Sequence, residues 1–365
     1  MKIIYCFLFI SLPPYVSSSQ QLSLVTPLAV SLQESSGLIA LNGKLITHND
    51  SGGEPKLFEL DSTTGNFTRS VFIQNASNTD WEDICIDANY IYIADIGNNS
   101  GTRTDLKIYR VSIAEYLSTP NDTVIADTIN FSYSEQVDFT PSTFSTNYDA
   151  EALIAFNDSL YIFTKNWGDN WTNVYALPKN PGTYSLLKGD SINSQGLVTG
   201  AIYNDLENKI HLSGYTFTTP FIVEISGFGS SPFSSGIIDR YAIVPPSGSS
   251  IQIESITNMQ NNQYYLTAEE SQSGSAALYR LNEDFLKLDE NLEVKVGFYP
   301  NPASDFIEIK CDDFSQAEFY GLNGAMYKVV NHKTINVSEL SAGTYWLVVK
   351  DSNGKKVLSE KLVLE

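Results

Sequence analysis

Residues 82–111 read EDICIDANYIYIADIGNNSGTRTDLKIYRV, and variants of this segment occur four more times in the chain. They are ESSGLIALNGKLITHNDSGGEPKLFELD (34–61), EALIAFNDSLYIFTKNWGDNWTNVYALP (151–178), TGAIYNDLENKIHLSGYTFTTPFIVEIS (199–226) and ESITNMQNNQYYLTAEESQSGSAALYRLN (254–282). Each unit opens with an apolar run, turns at Asn, Asp or Gly, and continues in a second run that ends in polar residues. A loop and a third short run of the type IYRV or LFEL follow. Most units are trailed by a fourth alternating stretch: FTRSVFI (67–73), TINFSYSE (128–135), TYSLLKG (183–189) and IIDRYAIV (237–244). Four short antiparallel strands repeated at intervals of roughly 50 to 70 residues are the blades of a β-propeller.

The fifth unit has no fourth strand of its own, whereas LSLVTPLAV (22–30) is a strand without a blade. Pairing the two closes the ring and removes both free edges. The expectation is five blades, or six if residues 136–147 hold a degenerate one. Apart from one helical turn near Ile113 to Leu117, no 3.6-residue periodicity appears, so the fold class is all-β.

Composition limits the partners. The chain has 42 acidic and 22 basic residues, a formal charge of −20. Nucleic acids and anionic membrane surfaces repel such a field, whereas an acidic cavity would concentrate cations. Cys85 and Cys311 fall in different predicted domains, so no disulfide framework is expected, and Cys85 in the run ICID reads as a small core residue. A monomer is expected.

Four units open with a glutamate at the same place in the pattern: Glu34, Glu82, Glu151 and Glu254; the remaining unit has Thr199. First strands line a propeller's axis, so these side chains form a ring. Asp80 and Asp149 precede Glu82 and Glu151 by two residues, which puts each pair of carboxylates on one side of its strand. Second strands end in His48-Asn49-Asp50, in Asp95 followed by Asn98 and Asn99, in Lys165-Asn166 and in Glu269-Glu270. Three roles remain open for the glutamates: bonding to adjacent blades, holding a metal ion, or catalysis. For a metal, Ca²⁺ matches a set of carboxylate and amide oxygens. Zinc is disfavoured, because the three histidines (His48, His211, His332) form no ligand cluster. There is no Gly-x-Ser-x-Gly elbow and no phosphate-binding glycine loop. Trp167, Trp171 and Tyr215 lie in inter-strand loops beside Asn and Asp, residue types that suit stacking on a glycan or contact with another surface protein.

These blade-start acids resemble those of secreted phytase-like and gluconolactonase-like propellers. The resemblance implies channel-mouth Glu, Asp and Asn holding Ca²⁺ or another divalent ion for hydrolysis of a phosphoester or lactone, with Glu34, Glu82, Asp95, Asn98, Glu151 and Glu254 in those places. The chain departs from the phytase-like pattern in its cations, since only Lys165, Arg103 and Lys107 are near enough to grip phosphate.

The ends of the chain concern export. FYPNPASDFIEIK (298–310), FYGLNGAMYKVV (319–330) and INVSELSAGTYWLVVKDSNGKKVLSEKLVLE (335–365) alternate apolar and polar residues between Pro, Asn-Gly and Ala-Gly turns, the pattern of a small Ig-like β-sandwich. Tyr299-Pro300-Asn301-Pro302, Leu322-Asn323-Gly324, Leu340 to Tyr345 with Gly343, and Lys361 to Leu364 resemble, in order, the marks of the C-terminal sorting domain of the type IX secretion system of Bacteroidota. The resemblance implies contact with the outer-membrane translocon and sorting machinery, and a secreted or surface-attached product. Met1-Lys2, the apolar run Ile3 to Leu12 and the small residues up to Ser19 read as a signal peptide, too short for a membrane span. The expected domains are a signal peptide (1–19), a propeller (20–290) and a sorting sandwich (291–365). Two functions follow: a binding or scaffold module at the cell surface, or a Ca²⁺-dependent hydrolase with a carboxylate-lined channel.

Overall fold

The computed structural model describes residues 20–216, 219–230, 232–246, 251–259, 263–269, 275–281, 296–311, 313–321, 326–352, 354 and 356–364. The expected signal peptide and the expected boundary at 290 lie outside the described residues. The chain divides into two compact units, residues 1–285 and 286–365.

The first unit is a five-bladed propeller. Blade one is Ser35–Leu41, Lys44–Asn49, Lys56–Asp61 and Phe67–Ile73; blade two is Trp81–Ile86, Tyr90–Asp95, Lys107–Ser112 and Asp127–Tyr133. Blade three is Ala150–Phe156, Ser159–Thr164, Thr172–Pro178 and Lys188–Ile192; blade four is Leu197–Asn204, Lys209–Tyr215, Pro220–Ser226 and Ile237–Val244. Blade five takes Ile253–Met259, Gln263–Ala268 and Ala277–Leu281 from its own repeat and Gln20–Pro27 from the start of the chain. Leu22 pairs with Leu281 and Pro27 with Ala277, so the ring closes as the orphan strand implied. Residues 134–149 hold no strand, which leaves the count at five. The helical turn is the helix Ile113–Ser118, capped by the Ser112 side chain.

Local chemistry sets the blades. In the first hairpin Asn42 and Gly43 have φ of 49° and 78°, the positive values that a two-residue turn needs at both central positions. Aliphatic side chains fill the space between blades. Cys85, Ile108, Ile129, Leu153, Ile162 and Leu177 form one such layer, where burial raises the Cys85 thiol pKa well above its usual range.

The stretch TYSLLKG divides in a way its pattern concealed. Gly182–Leu186 adds in parallel to the outer strand of blade two, and Lys188–Ile192 becomes the outer strand of blade three. Thr123–Val124 likewise pairs in parallel with Phe67–Ile73 before the chain enters its own blade, and Gln20–Gln21 pairs with Ile243 and Val244 of blade four. Each lead-in covers an outer edge that would otherwise present unpaired backbone groups.

The second unit packs Val296–Tyr299, Phe306–Cys311 and Thr334–Asn336 in one sheet, and Met326–Val330, Phe314–Gly321, Gly343–Asp351 and Lys356–Leu364 in another. Alternate residues Ile307, Ile309 and Cys311 turn inward to meet Phe319, Leu347 and Leu362, the period of two expected for a sandwich core.

Candidate metal centre at the propeller mouth

At the same point in all five innermost strands the ladder shifts by one residue. The extra residues are Gly37, Glu82, Glu151, Thr199 and Glu254. A bulge re-aims the side chain it carries, and here the same bulge repeats around the axis. The blade-one equivalent of Glu82 is therefore Gly37, with φ of 55°, not Glu34. Glu34 lies three residues earlier and is exposed, and its carbonyl accepts the backbone N–H of Asp50 at 2.8 Å. A side chain at Gly37 would collide with the His48 ring, which explains the glycine. Burial lowers the pKa of that histidine to about 4; its Nδ1 lies 3.0 Å from the Asn49 carbonyl.

Glu82, Glu151 and Glu254 line one cavity of about 320 Å³ together with Asp50, Glu269, Lys165, Trp167, Tyr215, Phe144 and Gln252. Asp80 and Asp149 join them: oxygens of Asp50, Asp80 and Glu82 lie within 4.8 Å of one another, and so do those of Glu82, Asp149 and Glu151. Glu82 belongs to both groups. It is only 4% exposed, and its carboxylate has no hydrogen-bond or ion-pair partner among the described residues. Gly97 packs directly against this set. A Cβ there would stand 2.0 Å from Glu82 Oε1 and 2.4 Å from Asp80 Oδ2.

The bonding between blades at the axis is done by other residues. Ser36 Oγ donates to the Glu82 carbonyl, and Thr199 Oγ1 donates to the Ile253 carbonyl. Asp83, fully buried, spans three blades: its Oδ2 accepts from Leu153 N at 2.8 Å and Ala201 N at 3.2 Å, and its Oδ1 accepts from Ile84 N at 2.8 Å. The repeats gave no sign of this residue, because the equivalent positions hold Leu38, Ala152, Gly200 and Ser255.

Electrostatics set the mouth apart. Burial, then Asp80 and Glu269, raise the Asp50 pKa to about 7. Burial raises Asp80 to about 6 against the pull of Arg103, with Asp149 and Asp95 adding to the rise. Burial pushes Glu254 to about 8, aided by Glu269 and Asp50 against Lys165. Glu82 and Glu151 are also raised well above the usual carboxylate range, first by burial and then by neighbouring acids. Lys165 moves upward despite burial: its ammonium is 3.0 Å from Glu151 Oε1, 5.0 Å from the Trp167 ring centre and 5.4 Å from that of Tyr215.

Asp95 and Asn98 are engaged elsewhere. Asp95 pairs with Arg103 at 2.8 Å and accepts the Asp80 N–H, while Asn98 bonds Asp149, the Tyr148 carbonyl and the Arg103 N–H. Trp167 donates to Asp149 Oδ2 at 2.8 Å, and Trp171, 40% exposed, does not line the cavity. Glu270 lies outside the described residues. The donor set at Asp50, Asp80, Glu82, Asp149 and Glu151 is all carboxylate. It fits a hard cation that takes oxygen ligands, and it lacks the nitrogen and sulfur donors zinc prefers.

In the second unit the Asn301 amide donates to the Lys361 carbonyl at 2.7 Å and accepts from Val363 N at 2.9 Å, fastening the Tyr-Pro-Asn-Pro segment to the final strand. The Tyr299 hydroxyl donates to Glu308, and that of Tyr345 donates to the Ser341 carbonyl just before Gly343. Gly324 lies outside the described residues.

Residues 297–365 match the secretion system C-terminal sorting domain. The chain is thus an all-β propeller protein carrying a type IX sorting domain, exported to the cell surface or extracellular space. Among the described residues no helix is long and apolar enough to cross a membrane.

No curated protein matches the chain. Among solved structures it is similar to Myxococcus xanthus glutaminyl cyclase, at 10% identity and TM-score 0.43 over 73% of this chain and 99% of that one. It is also similar to PorZ, a surface component of the type IX system of Porphyromonas gingivalis, at 13% identity and TM-score 0.35 over 97% of this chain and 47% of PorZ. A third is the gluconolactonase XC5397 of Xanthomonas campestris, at 14% identity and TM-score 0.36 over 76% and 99%. Likenesses this distant assign no activity.

Proposed function

We propose that the exported propeller is a binding module whose axial mouth takes a divalent cation of the Ca²⁺ class. Asp50, Asp80 and Glu82 form the first group of ligands, and Asp149 and Glu151 the second. The supporting observation is Glu82, a buried carboxylate shared by both groups, without a partner among the described residues, and sitting against a glycine that leaves it room. A buried charge in that state is costly unless something neutralises it. The inter-blade bonds through Ser36, Asp83 and Thr199 argue that the glutamates are not there to join blades. The test is thermal unfolding of the exported chain in EGTA and then in millimolar Ca²⁺. A cation that binds only the folded state raises the midpoint, and Glu82→Gln should remove the rise. An equal rise in wild type and variant, or none in either, refutes the site.

A second reading, a metal-dependent hydrolase of lactones or phosphoesters, draws on Glu254 and Asp50. Their pKa values of about 8 and about 7 suit a carboxylate that takes a proton from water near neutral pH. Among the described residues, Lys165 is the one cation lining the cavity. Under this reading Glu254→Gln abolishes turnover of a test lactone or aryl phosphate while leaving the Ca²⁺-induced midpoint rise in place. A binding module turns over neither substrate.

A further inference from the structure

A larger cavity, about 620 Å³, lies beside the mouth, bounded by the loop 135–148, Gly101, Asn173, Tyr175 and Lys188. The loop divides the two cavities, with Phe144 facing the carboxylates and Ser142 and Ser145 to Tyr148 facing the second space. Its wall is built rather than incidental. Gln136, 7% exposed, donates to the Gly101 carbonyl at 2.7 Å. Thr146, also 7% exposed, accepts the Tyr148 N–H at 3.1 Å. Gly101 has φ of 70°, and a Cβ there would come within 2.9 Å of Thr146 Oγ1.

Two side chains in this wall, Asn173 and Tyr175, hold donors open to the cavity. Asn173, 8% exposed, uses its Oδ1 to accept from Ser191 at 3.0 Å, while its Nδ2 has no partner among the described residues. Tyr175 is 1% exposed, and its hydroxyl likewise has no partner among them. Neither donor atom is sealed from solvent, so both are open to a ligand's acceptors within the cavity. The remaining groups narrow the ligand. Glu135 and Asp138 against Lys188 leave the wall slightly acidic, which disfavours anions. Hydroxyls and amides dominate, which disfavours an apolar molecule. Of the two tyrosines among the described lining residues, Tyr148 is half-buried and offers a ring for stacking, whereas Tyr175 is buried. The volume lies in the range of small-ligand sites, ~300–1,000 Å³.

We infer that this cleft is a binding site for a neutral saccharide, which stacks on Tyr148 and accepts hydrogen bonds from Asn173 and Tyr175. It needs neither a metal ion nor the carboxylates of the mouth. The test is saturation-transfer NMR on the exported chain in EGTA, with a mixture of neutral glucose, mannose and N-acetylglucosamine trisaccharides plus a galacturonate trisaccharide. Transfer to at least one neutral sugar is expected. Tyr175→Phe should weaken it by roughly tenfold, as should Asn173→Ala, each by removing one donor. Tyr175→Phe keeps the ring, and an unchanged unfolding midpoint shows that it remains folded. Glu82→Gln should leave sugar binding unaltered. No transfer to any neutral sugar, binding of the uronate alone, or neutral-sugar binding that survives both cleft variants overturns the inference.

Discussion

Replacing Asp50 by Asn tests whether the mouth stores repulsion that a cation relieves. Asp50 titrates at about 7 in the fold, against an ordinary 3.8. Between those values the folded state keeps a proton that the unfolded state has lost, so stability falls as pH rises from about 4 to about 7 and stays low above that. The span is worth roughly 4 kcal/mol at most; screening at a mouth that solvent reaches brings it to about 2 kcal/mol. Asn has the same shape and no charge. In EGTA at pH 8 the variant should therefore unfold about 4–8 °C above the wild type. Below about pH 3, where the wild-type carboxyl is neutral in both states, the two should coincide.

Calcium changes the comparison in the opposite sense. An ion present at 100 times its dissociation constant stabilises the fold by about 2.7 kcal/mol. Loss of one carboxylate ligand that weakens binding tenfold removes about 1.4 kcal/mol of this. Saturating Ca²⁺ at pH 8 should narrow the gap between variant and wild type. Differential scanning calorimetry across pH, with and without Ca²⁺, reads each of these effects. A variant less stable than wild type in EGTA at pH 8 would mean that the Asp50 carboxylate is held by favourable bonds, and the argument from stored repulsion would fail.

Other perturbations probe neighbouring parts of the same logic. Gly97→Ala drives a methyl group into Glu82 and Asp80; it should abolish the Ca²⁺-induced midpoint rise, read by calcium titration of the unfolding curve. Asp83→Ala removes the acceptor for three buried backbone N–H groups; it should cost about 3–5 kcal/mol in urea unfolding regardless of Ca²⁺. Deleting residues 20–27 takes the fourth strand from blade five and should replace cooperative unfolding of the propeller by aggregation, seen by light scattering during a thermal ramp.

The periodic part of this fold was open to reading because a blade is a local object. Its hairpins declare themselves through turns at Asn, Asp or Gly and alternating runs, and LSLVTPLAV announced the closure by lacking a partner. The i, i+2 pairs Asp80/Glu82 and Asp149/Glu151 were legible for the same reason, and both are brought together. What stayed hidden depends on a one-residue bulge and on contacts between blades. Aligning units by their first glutamate put Glu34 in the ring, but the bulge fixes the register and in blade one it requires a positive φ, hence Gly37. Asp95 looked available until Arg103, from a loop with no periodicity, was found against it. Asp83 occurs at its position in one blade only, so repetition could not reveal it.

The division of labour at the axis bears on how such a mouth can change. A ring of glutamates that sewed blades together could not lose its charge without losing the fold. Here the sewing falls to Ser36, Asp83 and Thr199, deeper groups that bond backbone directly. The acids above them oppose one another, and Lys165 neutralises only part of their charge. Stability alone would favour replacing several of them by amides. Their cost is understandable if occupancy of the mouth returns it, because a ligand that binds only the folded state contributes its own free energy to stability. The same separation frees the loops around the mouth to vary without touching the bonds that hold the ring. It also explains how one insertion, residues 134–149, can wall off a second cavity within reach of the first.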